Sequence, residues 1–172
     1  MSIEDFDESQ IHSALTNLET LDQALEFLLK KAATDVDVER ATFFAHDKDK
    51  AELFSLCTFG DSDTEIRMKD DEGIAGKVFH HGVPMTVDDT YQDDWFNYEI
   101  DRTSGFETRS LICVPVFKNR VVVGVIQLLN RNNGYFDADD EAYLQKIAMV
   151  MTSVLSDKKY TTQKSLFDTL FD

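Results

Sequence analysis

The chain has 172 residues, 42% of them hydrophobic and 29% charged, a composition typical of a globular protein with a sizeable core. Its net charge of −16 and the absence of a basic stripe exclude a nucleic-acid surface. No apolar run approaches the roughly 20 residues of a membrane-spanning helix, and no signal-peptide pattern is visible. We therefore expect one cytoplasmic domain that binds neither nucleic acid nor membrane, with Cys57 and Cys113 as buried thiols rather than a disulfide.

The first part of the chain predicts two helices. Residues 1–10 are acidic and contain few apolar side chains, so we expect a flexible lead-in. One helical face is then marked by Ile11, Leu15 and Leu18. Thr20 and Gln23 have the spacing of a capping box, which predicts the start of a second helix. Its apolar stripe has the period of a core-facing helix and comprises Leu21, Ala24, Leu25, Leu28 and Ala32.

Runs rich in β-branched and aromatic residues predict an antiparallel sheet. The predicted strands are residues 40–46, 51–59, 65–68, 83–87, 111–117 and 121–129. A break of three polar residues, 118–120, separates the last two, which is too short for a crossover and therefore predicts a hairpin. The final strand is apolar almost throughout, which is typical of a central strand covered on both faces. Val125 and Ile126 should be among the most buried residues.

The remaining segments predict short helices, a long irregular stretch and a last helix. Residues 74–81 should form a short helix that ends at Gly82. Residues 88–106 are polar and aromatic with one short helical piece at best, and such stretches are usually functional. Asp137 is placed to cap a long helix, whose apolar stripe comprises Leu144, Ile147, Ala148, Met151, Val154 and Leu155. Residues 157–172 carry an apolar edge, which predicts a linker helix toward an output module.

Motifs for catalysis are missing, which favours a binding module without a catalytic residue, metal or cofactor. There is no P-loop, and the two cysteines have neither CxxC spacing nor a charged neighbour that would lower a thiol pKa. His80 and His81 are adjacent, so on a helix they point about 100° apart and do not chelate one metal. No pair of carboxylates is marked as buried and convergent, as acid–base chemistry requires.

The stretch from 130 to 141 carries the most specific resemblance to a known family. It has the residues Asn130, Arg131, Phe136, Asp140 and Glu141. The chain resembles GAF domains, and more narrowly the cyclic-nucleotide-binding type of phosphodiesterases and bacterial cyclases, whose signature is Asn-Lys…Phe-x-x-x-Asp-Glu. Arg131 replaces the lysine, keeps its charge and is expected to pair with Asp140. Further matches follow in order at 47–53, 65–67, 73–76, 96–97, 104–109 and 124–127. In the family this signature supports the pocket without touching the ligand.

The resemblance implies an α+β fold for a GAF sensor domain at residues 11–156. Its antiparallel sheet of five or six strands would carry the long N- and C-terminal helices on one face. The short helix 74–81 and the segment 88–106, acting as a lid, would enclose the ligand on the other. The resemblance places the backbone N–H groups of Ile74 and Ala75 against the cyclic phosphate, at a helix N-terminus that favours anions. It assigns polar ligand contacts to Asp101, Ser104 (where the family has Thr) and Thr108, and the base end of the pocket to Thr42, Thr58 and Phe59.

The expected ligand is a cyclic nucleotide, with cAMP favoured over cGMP. A guanine-selective site needs an acceptor for the N1–H and N2–H₂ donors, and the predicted base end has no assured carboxylate, although Asp61 follows the strand. Ligand binding would order the segment 88–106 and bias the flanking helices. These helices would form a homodimer and signal to an output domain such as a cyclase, diguanylate cyclase or phosphodiesterase. The sensor domain itself is expected to be non-catalytic.

Three other interpretations are open. A GAF domain with a non-functional pocket, or one for a different small ligand, would act by dimerisation alone, although the complete segment 88–106 argues against this. Methionine sulfoxide reductases of the GAF type carry a catalytic cysteine in the helix-start motif, where this chain has Ala75. Bilin- and haem-binding GAF domains need a cysteine or histidine that faces the pocket, and His80 and His81 lack that context.

Overall fold

A computed structural model describes residues 6–60 and 64–161, and it shows one six-stranded antiparallel sheet flanked by helices. The strands are β1 (Val38–Asp47), β2 (Glu52–Phe59), β3 (Arg67–Lys69), β4 (Met85–Val87), β5 (Leu111–Lys118) and β6 (Val121–Arg131), in the order β3-β2-β1-β6-β5-β4. The helices are α1 (Glu8–Thr16), α2 (Leu21–Val36), α3 (Gly73–His81), α4 (Tyr98–Ser104), α5 (Ala138–Leu155) and α6 (Lys158–Thr161), with a 3₁₀ turn at Thr90–Gln92. The predicted α+β class and strand number are confirmed.

The predicted central hairpin is present as β5 and β6. Two residues, Asn119 and Arg120, connect the strands with φ of 51° and 65°. Two successive left-handed residues are the geometry of a tight hairpin turn that matches the twist of the strands. Because β6 pairs with β1 on its other side, it lies inside the sheet. Val125 and Ile126 are both 0% exposed, which confirms the predicted central strand.

Side chains on neighbouring strand positions point to opposite faces, and they form two separate cores. The helix-side core lies under α1, α2 and α5 and includes Phe43 and Ile126. The cavity-side core lies under α3 and includes Phe44 and Val125. The long helices therefore cover one face and the short helices the other, as predicted.

Local capping signals begin and end the helices as the sequence predicts, with one correction at the N-terminus. The capping box of Thr20 and Gln23 starts α2, and Gly82 ends α3 with a left-handed φ of 66°. Asp7 caps α1, which already begins at Glu8, so residues 8–10 belong to this helix and not to a flexible lead-in. Residues 1–5 lie outside the described part of the chain.

After α5 the chain turns back toward the domain. Tyr160 in α6 is 3% exposed, and its hydroxyl donates to the Leu18 carbonyl at 3.3 Å, beside the end of α1. The start of the predicted linker 157–172 thus packs on the domain. Its apolar edge at 166–171 lies outside the described residues. No helix in the described part of the chain has both the length and the apolar character needed to cross a membrane.

Candidate ligand-binding site

A cavity lies between the sheet, the start of α3 and the segment 88–106, which we call the lid. Its floor is formed by β1, β5 and β6, and its roof by side chains of α4 and the residues that flank it. The space left among these side chains is about 50 Å³, room for a few water molecules. Pockets for small ligands usually have about 300–1,000 Å³, so a nucleotide requires the lid to move.

Six of the eight predicted ligand-binding residues line this cavity, namely Thr42, Ile74, Ala75, Asp101, Ser104 and Thr108. Thr58 is paired with Thr42 across β1 and β2 but does not reach the cavity. Phe59 packs against the helix-side core and, unlike its predicted place at the base end, does not line the cavity. The reason is the pleat of the strand, which turns consecutive residues such as Thr58 and Phe59 to opposite faces. Asp61 lies outside the described residues.

The sequence interpretation missed two polar residues on the floor, Arg40 and Gln127. Arg40 is 6% exposed and Gln127 is 9% exposed, and both line the cavity. The signal for Arg40 was its position two residues before Thr42 on the same strand, since residues i and i+2 share a face. Gln127 lies directly opposite Thr42 in the pairing of β1 with β6. Three polar side chains therefore meet on an otherwise largely apolar floor.

The start of α3, with its backbone N–H donors, lies at the cavity. The first N–H groups of an α-helix have no acceptor within the helix, and the side chain of the N-cap residue Glu72 makes no capping hydrogen bond. Ile74 and Ala75 occupy this first turn and line the cavity. Gly73 has a left-handed φ of 66°, and a β-carbon there would lie 3.3 Å from the β-carbon of Asn97 in the lid. The lid is therefore packed closely on the helix start.

Hydrogen bonds fasten the lid to the segment that leads into β5. Asp101 accepts from the backbone N–H of Thr108 at 2.6 Å and from its hydroxyl at 2.7 Å, a pair of bonds that we call the latch. The hydroxyl of Thr90 donates to the Thr108 carbonyl, and the Tyr98 hydroxyl donates to the Thr90 carbonyl at 2.7 Å. Asp101 and Thr108 thus bond to each other here, which differs from their expected role as ligand contacts.

Asn130 anchors the end of the lid to β1. Its side-chain oxygen accepts from the N–H groups of Arg109 at 2.6 Å and Ser110 at 3.2 Å. Its amide donates to the Glu39 carboxylate at 2.9 Å and to the Glu107 carbonyl at 2.7 Å. Burial alone would raise the pKa of Glu39, but hydrogen bonds from Arg109 and Asn130 outweigh burial and lower the pKa. Asn130 is 1% exposed, so these bonds are shielded from water.

Comparison with known proteins places this architecture in a family. The family model of the GAF domain matches residues 19–156. The chain belongs to the GAF-domain family. A probable 3′,5′-cyclic phosphodiesterase, pde-5, of Caenorhabditis elegans is 28% identical over 75% of this chain and 19% of its own length. The dual 3′,5′-cyclic-AMP and -GMP phosphodiesterase 11 of Drosophila melanogaster is 34% identical over 54% of this chain and 7% of its own. This chain therefore spans about a fifth or less of these relatives.

Solved structures confirm the GAF fold. The GAF domain from a phosphoenolpyruvate-protein phosphotransferase of Coxiella burnetii superimposes with a TM-score of 0.78 and 18% sequence identity. The match covers 86% of this chain and 89% of that domain. At this identity the likeness shows the fold alone.

The signature residues of this GAF domain surround the site without lining the cavity. Arg131 lies 3.2 Å from the Asp140 carboxylate, which confirms the predicted pair. Burial raises the pKa of Asp140, which is 1% exposed, although the N–H of Asp137 and the Arg131 charge act in the opposite direction. Phe136 packs in the helix-side core. Glu141 accepts from the Thr86 hydroxyl at 3.0 Å and so joins α5 to β4.

The two cysteines of the GAF domain are poor nucleophiles. Burial, followed by the nearby charges of Glu26 and Asp22, raises the pKa of Cys57 to about 12. Burial also raises the pKa of Cys113, which is 0% exposed. Both thiols therefore stay protonated near neutral pH. Within the described residues no cluster of three or more His, Cys, Asp or Glu side chains is placed to hold a metal ion.

Proposed function

We propose that this GAF domain is a non-catalytic sensor that binds a cyclic nucleotide, with cAMP preferred over cGMP. One observation carries the proposal: the buried Arg40 and two residues of the first turn of α3, Ile74 and Ala75, line the same, otherwise largely apolar cavity. Such a cavity suits a flat heterocyclic ring joined to an anionic group. The matched phosphodiesterases support this ligand class, because the name of the Drosophila enzyme specifies cyclic AMP and cyclic GMP as its substrates.

The anionic group would lie at the start of α3. A helix N-terminus carries a partial positive charge and N–H donors, both of which stabilise a phosphate. The positive charge of Arg40 would contribute in the same cavity, where little water screens it. The overall charge of −16 opposes an anion only weakly, since charges beyond about 8 Å are screened at physiological salt.

The base would be read by the polar side chains of the floor. A glutamine amide is able to donate its N–H to N7 of adenine while its oxygen accepts from the N6 amino group. Gln127, which lies opposite Thr42 on the floor, would take this role. Guanine would place N1–H and N2–H₂ donors in the cavity. Among the described residues that line the cavity, Asp101 is the only one with a carboxylate. Both of its oxygens accept hydrogen bonds from Thr108. An unpaired buried donor costs about 1–3 kcal/mol, which favours adenine.

The signal would pass from the lid to the terminal helices. Lid movement would disturb Asn130, which holds the lid end, and the next residue, Arg131, contacts Asp140 in the first turn of α5. From α5 the change would reach residues 157–172 and a covalently linked output domain, such as a cyclase, a diguanylate cyclase or a phosphodiesterase. We further propose a homodimer through the terminal helices, in the cytoplasm.

Calorimetric titration of the purified chain with cAMP, cGMP and adenosine tests this proposal. We expect cAMP to bind tighter than cGMP, and adenosine to bind more weakly because it lacks the phosphate. Gln127→Leu should weaken cAMP binding by about tenfold, since the adenine edge loses its partner. Gln145→Leu, at an exposed position of α5, is the matched control and should bind as the wild type does. Tighter binding of cGMP would reverse the base preference.

A second candidate is a dimerisation module without a functional pocket, or one for a smaller ligand. The cavity volume of about 50 Å³ favours it, because a nucleotide does not fit unless the lid moves. In that case neither nucleotide would release heat. Sedimentation would then show a dimer whose dissociation constant is the same with and without nucleotide.

A further inference from the structure

The lid contributes an aromatic ring to the lining of the cavity. Phe106 lines the cavity, and its ring centroid lies 3.9 Å from the guanidinium carbon of Arg40. A flat cation over an aromatic face is an attractive contact, and it strengthens where water is excluded. Arg40 is 6% exposed, so this contact is a desolvated one. The lid thus covers the buried cation with a ring of its own.

The chain around Phe106 is built to hold this position. Gly105 ends α4 with a left-handed φ of 71°, which turns the backbone back toward the sheet. A β-carbon at Gly105 would meet no atom within 4 Å, so the backbone conformation, and not space, favours glycine here. Two residues later, the latch fixes Thr108 to Asp101. Phe106 is therefore held between two fixed points and directed into the cavity.

We propose that Phe106 is an internal competitor for the ligand site. This inference rests on the proposed function, in that the ligand has a planar ring. The planar ring of the ligand and the side chain of Phe106 would occupy the same space over the cavity floor. The ligand therefore binds only to those protein molecules in which Phe106 has moved out of the cavity. The measured dissociation constant is then raised by the fraction of molecules with Phe106 inside. Phe106 would set how much ligand is needed before the lid responds.

The strength of the Arg40 contact gives the expected size of the effect. A cation–π contact of this kind changes an equilibrium by about two- to thirtyfold, from exposed to desolvated sites. Removal of the ring should therefore tighten ligand binding by about tenfold. A residue that instead contacts the bound ligand would have the opposite effect, since its removal would weaken binding.

Titration of the wild type and three variants with cAMP tests the competition. Phe106→Ala should bind cAMP about tenfold tighter than the wild type. Phe106→Leu, which keeps an apolar side chain but loses the aromatic face, should show a smaller increase in cAMP affinity. It replaces the alanine variant in the test if that variant unfolds. Phe117→Ala is the matched control, because Phe117 lies at the end of β5 and does not line the cavity; its affinity should not change. Equal or weaker cAMP binding by both Phe106 variants overturns the proposal.

A second probe separates this inference from the choice of ligand. Apolar cavities made by truncating a large side chain bind small aromatic molecules, and indole is a planar probe of that kind. Indole should shift the amide NMR signals of Phe106→Ala but not those of the wild type or Phe117→Ala. If no protein binds a nucleotide and only Phe106→Ala binds indole, the proposed ligand is wrong and the competitor role stands. Equal indole binding by all three proteins overturns that role.

Discussion

The two faces of the sheet are built from different kinds of contact. On the helix side, α2 and α5 cover apolar residues such as Phe43 and Ile126, each 0% exposed. On the cavity side, polar residues are buried as well, among them Arg40, Thr42, Thr90, Thr108 and Gln127. The lid above them is held by the latch and by side-chain hydrogen bonds to backbone carbonyls.

Because of this difference, the helix side stabilises the fold, whereas the cavity side is able to change when a ligand binds. Burial of apolar area is non-directional and grows with the area removed from water, so the helix side resists local opening. Hydrogen bonds contribute only about 1 kcal/mol each, because water or a ligand offers replacement partners. The lid is therefore expected to open at a lower free energy than the sheet.

The largest expected effect is on the helix side. Ile126→Ala removes a fully buried side chain from the central strand and should lower the free energy of unfolding by about 2–5 kcal/mol. Urea denaturation measures this loss. Val121→Ala, on the same strand at a position 60% exposed, should change stability by less than about 0.5 kcal/mol. An unchanged midpoint for Ile126→Ala would contradict the central place of β6.

A smaller and more local effect is expected at the latch. Asp101→Ala leaves the N–H and hydroxyl of Thr108 without their acceptor, so opening of the lid should become easier by about 1–3 kcal/mol. Hydrogen exchange should accelerate at residues 95–106 and stay constant in β6. Thr108→Val keeps the backbone donor and removes only the hydroxyl, so its effect should be about half as large. Uniform acceleration across the whole domain would argue against a separately opening lid.

The smallest expected effect depends on pH. The N–H of Asp140 lowers the pKa of Asp137 below its ordinary value of 3.8. A carboxyl group whose pKa is lower in the folded than in the unfolded state stabilises the protein at pH values above the ordinary, unfolded pKa. This stabilisation is lost as the pH falls through the pKa of the folded state. Asp137→Asn keeps the capping oxygen without the charge and should cost a few tenths of a kcal/mol near neutral pH, since Asp137 is 60% exposed.

Denaturation at a series of pH values measures the difference in the free energy of unfolding between Asp137→Asn and the wild type, which should vanish in acid. Asp137→Ala, which also removes the cap, should cost about 1 kcal/mol and keep most of that loss at low pH. If the free energy of unfolding of Asp137→Asn stayed below that of the wild type in acid, the Asp137 carboxylate would not be the titrating group.

Local and periodic features were determined by the sequence itself. The capping box of Thr20 and Gln23 and the helix stop at Gly82 depend on residues within four positions of each other. The hairpin of β5 and β6 follows from a two-residue turn between two apolar runs. These features need no distant partner, so their patterns can be read directly. The ordered match from residue 19 to 156 likewise identifies the GAF fold.

Only the tertiary structure decided what fills the cavity. A bulge shifts the pairing of β2 with β1 between Phe43 and Phe44, so alternation counted from the start of β2 does not give the faces of Thr58 and Phe59 beyond the bulge. The bonds of Asn130 to Glu39 join residues 91 positions apart. The stacking of Phe106 on Arg40 requires β1 and the lid to be folded together. Such contacts depend on how distant segments pack, because no short-range pattern specifies which polar side chain meets which partner.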